Sequence, residues 1–188
     1  RFILNSNFGM GFGKKRGVGY NFSMGLEIKP IEPLNIEIKA IQDFTPKYMQ
    51  WVDILELQDD TVRVYARSSL LTQDITIRIN WTFTPQLTFQ CFIQPFFVDM
   101  AYDEYSRLLE EKTMKIGPYN YLNNYENPDF ILQNTVGTFV LRWEYNSGST
   151  IFIVYNFNDN KYYSPFNNIW ESESAHALYF KLNYWFRY

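Results

Sequence analysis

Counting back in twos from Tyr188 gives Phe186, Tyr184, Leu182, Phe180 and Leu178, an unbroken apolar row, with Arg187, Trp185, Asn183, Lys181 and Tyr179 in alternation. A two-residue side-chain period belongs to a strand, so this stretch reads as one greasy face and one polar-aromatic face about a dozen residues long. The same signature recurs upstream. Val18, Tyr20, Phe22, Met24, Leu26 and Ile28 alternate with Gly19, Asn21, Ser23, Gly25 and Glu27. Leu34, Ile36 and Ile38 alternate with Asn35, Glu37 and Lys39. The clearest case sets Ile75, Ile77, Ile79, Trp81 and Phe83 against Asp74, Thr76, Arg78, Asn80 and Thr82. Leu87, Phe89, Cys91 and Ile93 continue it, as do Phe139, Leu141 and Trp143, and Ile151, Ile153 and Tyr155. The chain predicts an all-β fold.

Aromatic residues make up 20% of the 188, yet mean hydropathy is only −0.30. That combination fits alternating strands with aromatic girdles. No run approaches the ~20 apolar residues of a helical membrane span. A net charge of −3 with both signs mixed argues against a nucleic-acid binder. One cysteine, Cys91, forms no internal disulfide, and one histidine leaves metal and triad chemistry short of parts. Arg1 already opens a strand-like segment, so the chain is expected to be a mature or cut fragment.

About ten strands are expected. The third to sixth fall at Leu34–Ala40, about 47–57, 61–70 and 75–83; Asp53, in phase with Trp51 and Leu55, leaves one face unassigned. Short turns are expected at Gly13-Lys14-Lys15-Arg16-Gly17, Lys29–Pro33, Gln58–Asp60, Thr84–Gln86 and Asn146–Ser149. Alternation lapses from about Val98 to Gln133, which reads as one long loop with a short helix near Glu104–Lys115. A second loop is expected over Asn158 to about Glu173. Counting back from the last strand places Lys29–Pro33, Gln58–Asp60, Thr84–Gln86 and Asn146–Ser149 on one side and both long loops on the other.

A last strand of this kind resembles the C-terminal assembly signal of bacterial outer-membrane barrels, and short inner turns with long outer loops follow the same pattern. Several stretches together resemble a named family. Asn127-Pro128-Asp129-Phe130, then Val140-Leu141-Arg142-Trp143-Glu144-Tyr145, Gly148-Ser149-Thr150 and Ile151-Phe152-Ile153-Val154-Tyr155 are similar to the C-terminal membrane barrel of the DUF5916 family. So are Asn80-Trp81-Thr82-Phe83-Thr84-Pro85, Leu87-Thr88-Phe89-Gln90 and Gln94-Pro95-Phe96. The likeness covers roughly residues 60–188. Members of this Bacteroidetes-rich family commonly carry an N-terminal family 9-like carbohydrate-binding module, and their biochemical role is not established. The resemblance implies architecture and location rather than mechanism.

The resulting expectation is an antiparallel up-and-down transmembrane β-barrel. Residues 1–188 form the C-terminal part of one barrel domain, incomplete without upstream strands, with a long extracellular loop at about 98–133. Ile75, Ile77, Ile79, Trp81, Phe83, Phe139, Leu141, Trp143, Phe180, Leu182, Tyr184 and Phe186 would face the membrane. Arg78, Asn80 and Arg142 would face the lumen. Expected partners are the lipid bilayer of a bacterial outer membrane, its assembly machinery through the last strand, and a glycan or protein at the loops through Tyr121, Tyr125 and Trp170. Tyr102, Tyr105, Tyr119, Tyr162, Tyr163 and Phe166 share that reading, and for all nine aromatics the alternative is packing over the mouth or a place in the outer girdle. No cofactor is expected. Asp99, Asp103, Glu104, Glu110 and Glu111 lack the spacing of a calcium loop and read as a solvated face. Gly9, Gly11 and Gly13 lack the strand-turn-helix setting of a phosphate loop.

Two alternatives differ in class. A barrel-associated hydrolase would draw catalytic residues from outside the fragment, with His176 near Ser172 and Ser174 as the one candidate base. A soluble β-barrel would bind a ligand inside, with the Ile75 row pointing to a core.

Overall fold

The computed structural model describes residues 1–13, 17–58, 60–165 and 168–186. The turn cations Lys14, Lys15 and Arg16, as well as Asp59, Phe166, Arg187 and Tyr188, lie outside the described residues. The chain is all-β: one antiparallel sheet of nine strands, not closed. Its strands are β1 (Phe2–Gly13), β2 (Gly17–Ile31), β3 (Leu34–Glu56), β4 (Thr61–Thr84), β5 (Leu87–Glu110), β6 (Lys115–Pro118), β7 (Phe130–Asn146), β8 (Ser149–Ser164) and β9 (Ile169–Asn183). Each long strand pairs with the next long one, and short β6 pairs with the far end of β5.

Several expected boundaries change. The third and fourth expected strands are one strand, β3, and the fifth and sixth are one strand, β4. At ~3.3 Å per residue, the 24 residues of β4 span ~80 Å. The two mergers leave the other connections in phase but move Gln58–Asp60 to the end opposite Thr84–Gln86, beside the long connection. The long loop shrinks too. Val98 to Glu110 continue β5 rather than opening a loop or helix, so the connection runs only over residues 111–129. Asn158 to Ser164 likewise belong to β8, and β9 already begins at Ile169. The ladder outweighs the polar composition of these ends, because each backbone group gains a partner.

Prolines sit inside β2, β3 and β5, and Pro46 of β3 lies at the register shift between Thr45 and Tyr48. The register shifts between Ile28 and Ile31, around Pro30, so β2 continues where the sequence suggested a stop. Pro95 pairs with Thr135 of β7, while on the β4 side the ladder skips from Asp74–Phe96 to Ile77–Ile93. Proline has no N–H to give that side.

Beyond the sheet, the described residues contain only the 3-10 turn Tyr121–Asn123, so both sheet faces are largely bare. The accessible surface is 13222 Å² for 22.5 kDa. A compact monomer of that mass would expose about 9,500 Å². Among the described residues, the buried side chains Leu55, Val62, Val64 and Tyr121 cluster at the far end of β3 and β4.

Candidate functional site

The register sorts every strand residue onto one of two faces, since directly paired residues share a face. Ile77 pairs with Ile38 and Ile93; Ile38 pairs with Leu26, and Leu26 with Leu4. Following Ile79 and Trp81 toward β9 links Cys91, Phe139, Tyr155 and Leu178 in one row and Phe89, Leu141, Ile153 and Phe180 in the next. Trp143, Ile151 and Leu182 share that face. The apolar residues expected on the membrane side thus fall on one face of one sheet, Tyr184 and Phe186 excepted, which follow the end of β9. Phe180 is 70% exposed. Rings tile the centre: Phe139 lies 6.4 Å from Phe89, 6.1 Å from Tyr155 and 6.2 Å from Phe157.

The opposite face is mixed at the same height, its polar side chains standing among Phe92, Val140, Phe152 and Val154. Arg78 pairs with Glu37 and Phe92, Asn80 with Asn35 and Gln90, and Arg142 with Thr88 and Phe152. Side chains there bind one another. Arg142 Nη2 donates to Glu144 Oε2 at 2.9 Å. Asn134 Nδ2 donates to Asn158 and Asn160 Oδ1, both at 2.7 Å. Asn21 donates to Asp43 and Gln94 to Asp74.

Farther along β4 the polarity changes sides. Val62, Val64, Ala66 and Ser68 are buried, and they lie on the face that carries Arg78. The other face now bears Arg63, which pairs with Glu111 at 2.6 Å, and Arg67, which pairs with Glu104 at 2.6 Å. Lys47 joins Glu104 at 3.6 Å. Lys47 and Glu104 both have positive φ, 49° and 50°, at register shifts of β3 and β5. A further shift between Trp51 and Asp53 explains the unassigned phase there. Trp51 pairs with Tyr65 and Asp53 with Val64, so the bulge sends the two residues to opposite faces.

The 111–129 connection covers this apolar patch. Tyr121 is 7% exposed, stacked between Tyr105 at 5.1 Å and Tyr125 at 5.0 Å, and its hydroxyl donates to Asp53 Oδ2 at 3.0 Å. Burial, then the hydrogen bond and charge of Asp53, push its pKa up to about 12. Burial first and Asp129 second push Tyr105 up as well. Asn127 Oδ1 accepts from Asp129 N at 3.1 Å, and Asp129 Oδ1 accepts from Tyr102 N at 2.6 Å. Asn127-Pro128-Asp129-Phe130 therefore ties the start of β7 to β5. Tyr121, expected as a loop contact, is committed to this packing with Tyr125 on it. Trp170 stays exposed, 5.2 Å from Tyr163.

His176 lies on the apolar face, paired with Phe157. Its Nδ1 is 2.8 Å from Tyr155 Oη and its Nε2 is 3.3 Å from Asp159 Oδ1. With both nitrogens engaged, neither is turned to Ser172 or Ser174 as a base. Sequence spacing did not reveal these partners, which belong to the neighbouring strand. Among the described residues no group of three His, Cys, Asp or Glu is placed to hold a metal ion. Comparison with family models, with curated proteins and with solved structures finds no match.

Proposed function

We propose that this chain is a segment of an outer-membrane β-barrel, serving as the anchor or conduit of a larger cell-envelope protein. The observation that carries the reading is the exchange of polarity along β4. From Ile75 to Phe83 the apolar row spans ~27 Å, or ~20 Å of height at a strand tilt of about 40°, close to the ~25 Å apolar band of such barrels. Beyond it, charges occupy that face and the apolar residues turn to the other, beneath the 111–129 connection. A strand that leaves lipid for water needs this change. In lipid every backbone N–H and C=O must pair, so the open edges of β1 and β9 would take further strands. The proposed likeness to the DUF5916 barrels rests on the residues quoted above alone.

The hydrolase reading must draw its catalytic residues from outside this chain, since His176 lies against Tyr155 and Asp159 rather than Ser172 or Ser174. The soluble reading needs a core beneath the Ile75 row, where Ile75, Trp81 and Phe83 are exposed.

Reconstitution tests the proposal. The chain, folded with lipid vesicles, is expected to stay with the vesicles through an alkaline carbonate wash and to shield its strands from added protease. A chain that remains soluble and monomeric without detergent would sink the membrane reading.

A further inference from the structure

We infer that the face opposite the Ile75 row carries a binding site for a small organic oxyanion, a carboxylate or phosphate on a hydroxyl-rich body, held between Lys39 and Arg78. A cleft of about 470 Å³ opens on β1 to β4, within the ~300–1,000 Å³ usual for small-ligand sites. Its floor is Gly25, which pairs with Lys39, and a Cβ built there would meet nothing within 4 Å. Lys39 in turn pairs with Thr76, and Arg78 stands one row away.

The charges in the cleft are unevenly matched. Register sets Glu27 directly against Glu37, and Glu37 against Arg78. Yet Glu27 is held by Lys29 at 3.1 Å and Glu37 by Asn35 Nδ2 at 2.9 Å. The Arg78 guanidinium instead lies over the Phe92 ring, 5.4 Å from its centroid. Among the described residues, neither Lys39 nor Arg78 makes an ion pair with a carboxylate. Two cations on neighbouring strands with open donors suit one oxyanion, to which an arginine fork binds in bidentate fashion. Asn5, Asn7 and Ser23 supply amide and hydroxyl partners for the rest of the ligand. The site's role in passage rests on the conduit reading; binding itself does not.

The test is a titration of the full chain in detergent micelles, followed by amide chemical shifts. Gluconate supplies a carboxylate, glucose 6-phosphate a phosphate and glucitol the same kind of body without charge. One or both anions should bind saturably, glucitol at least tenfold more weakly, and Lys39→Gln and Arg78→Gln should each weaken anion binding about tenfold. Gly25→Trp should abolish binding while strand amides keep their pattern. Should Gly25→Trp misfold, the two exposed cation variants still decide the matter. Equal binding of glucitol, no binding of either anion, or anion affinities unmoved in both cation variants would overturn the site. Vesicle insertion, measured separately, reports on the membrane reading alone.

Discussion

Gly137 pairs with Ile93 and Phe157 on the apolar face, and a Cβ there would stand 2.0 Å from Phe157 Cε1. The ring lies across the glycine, shielding a backbone stretch with no side chain of its own. Gly137→Ala should push it aside and cost about 1–3 kcal/mol. In a urea titration of the reconstituted chain, Phe157→Ala should remove most of that penalty, and additive effects would dissociate the two residues. Tyr121 carries a different prediction, because its raised pKa reports a neutral hydroxyl favoured by folding. That stabilisation is complete below the ordinary tyrosine value of about 10 and is lost as pH rises toward and through about 12. In an alkaline tyrosinate-absorbance titration, Tyr121→Phe should delete one late-ionising group, and at neutral pH it should cost about 1 kcal/mol by leaving Asp53 without its donor.

At the scale of one strand, β4 changes which of its faces is apolar, as the proposed passage from lipid to water requires. Ile77→Arg places a charge in the apolar row and should cost roughly 2–4 kcal/mol near the bilayer midplane, enough to block insertion. Arg78→Ala, one residue on and facing the other way, should leave insertion near wild type. Vesicle flotation of the two variants checks this, and equal losses would count against the face assignment. Alternation was legible over Ile75–Phe83, where the faces differ most in polarity, and the placement of Arg78, Asn80 and Arg142 opposite the apolar row followed from it. Over residues 47–70 it was not, for two reasons. The apolar side changes faces there, and register shifts near Lys47 and Val52 break the two-residue period. The end of β5 was misread because Asp99, Asp103, Glu104 and Glu110 resemble a loop, whereas their strand character comes from pairing with β4, β6 and β7. Interstrand register, absent from spacing alone, also hid the His176 partners and the Lys39–Arg78 cleft.

For the whole molecule, the open sheet is the governing fact. β1 pairs only with β2 and β9 only with β8 among the described residues, which leaves two long edges whose backbone groups seek partners. Without lipid or detergent the chain is therefore expected to self-associate, and light scattering coupled to size exclusion should show a mass above 22.5 kDa. The buried cluster at Leu55, Val62, Val64 and Tyr121 is the part closest to an ordinary core, and it lies beyond the apolar band rather than beneath it.

On the proposed reading the sheet meets lipid on the Ile75 face and water on the Arg78 face, whereas beyond Leu70 the Ile75 face turns to water and the other face is covered by the 111–129 connection. The most direct measurement is a cysteine scan of β4 in a Cys91→Ser background, with the chain in vesicles and each thiol tested with a water-soluble reagent and a lipid-phase quencher. Positions 75, 77, 79, 81 and 83 should be quenched from lipid and spared by the aqueous reagent, positions 76, 78 and 80 the reverse. Positions 63, 65 and 67 should then react from water while 62, 64 and 66 stay protected from both probes. Equal access of both rows to water, or protection of the Ile75 row with no lipid present, would contradict the account.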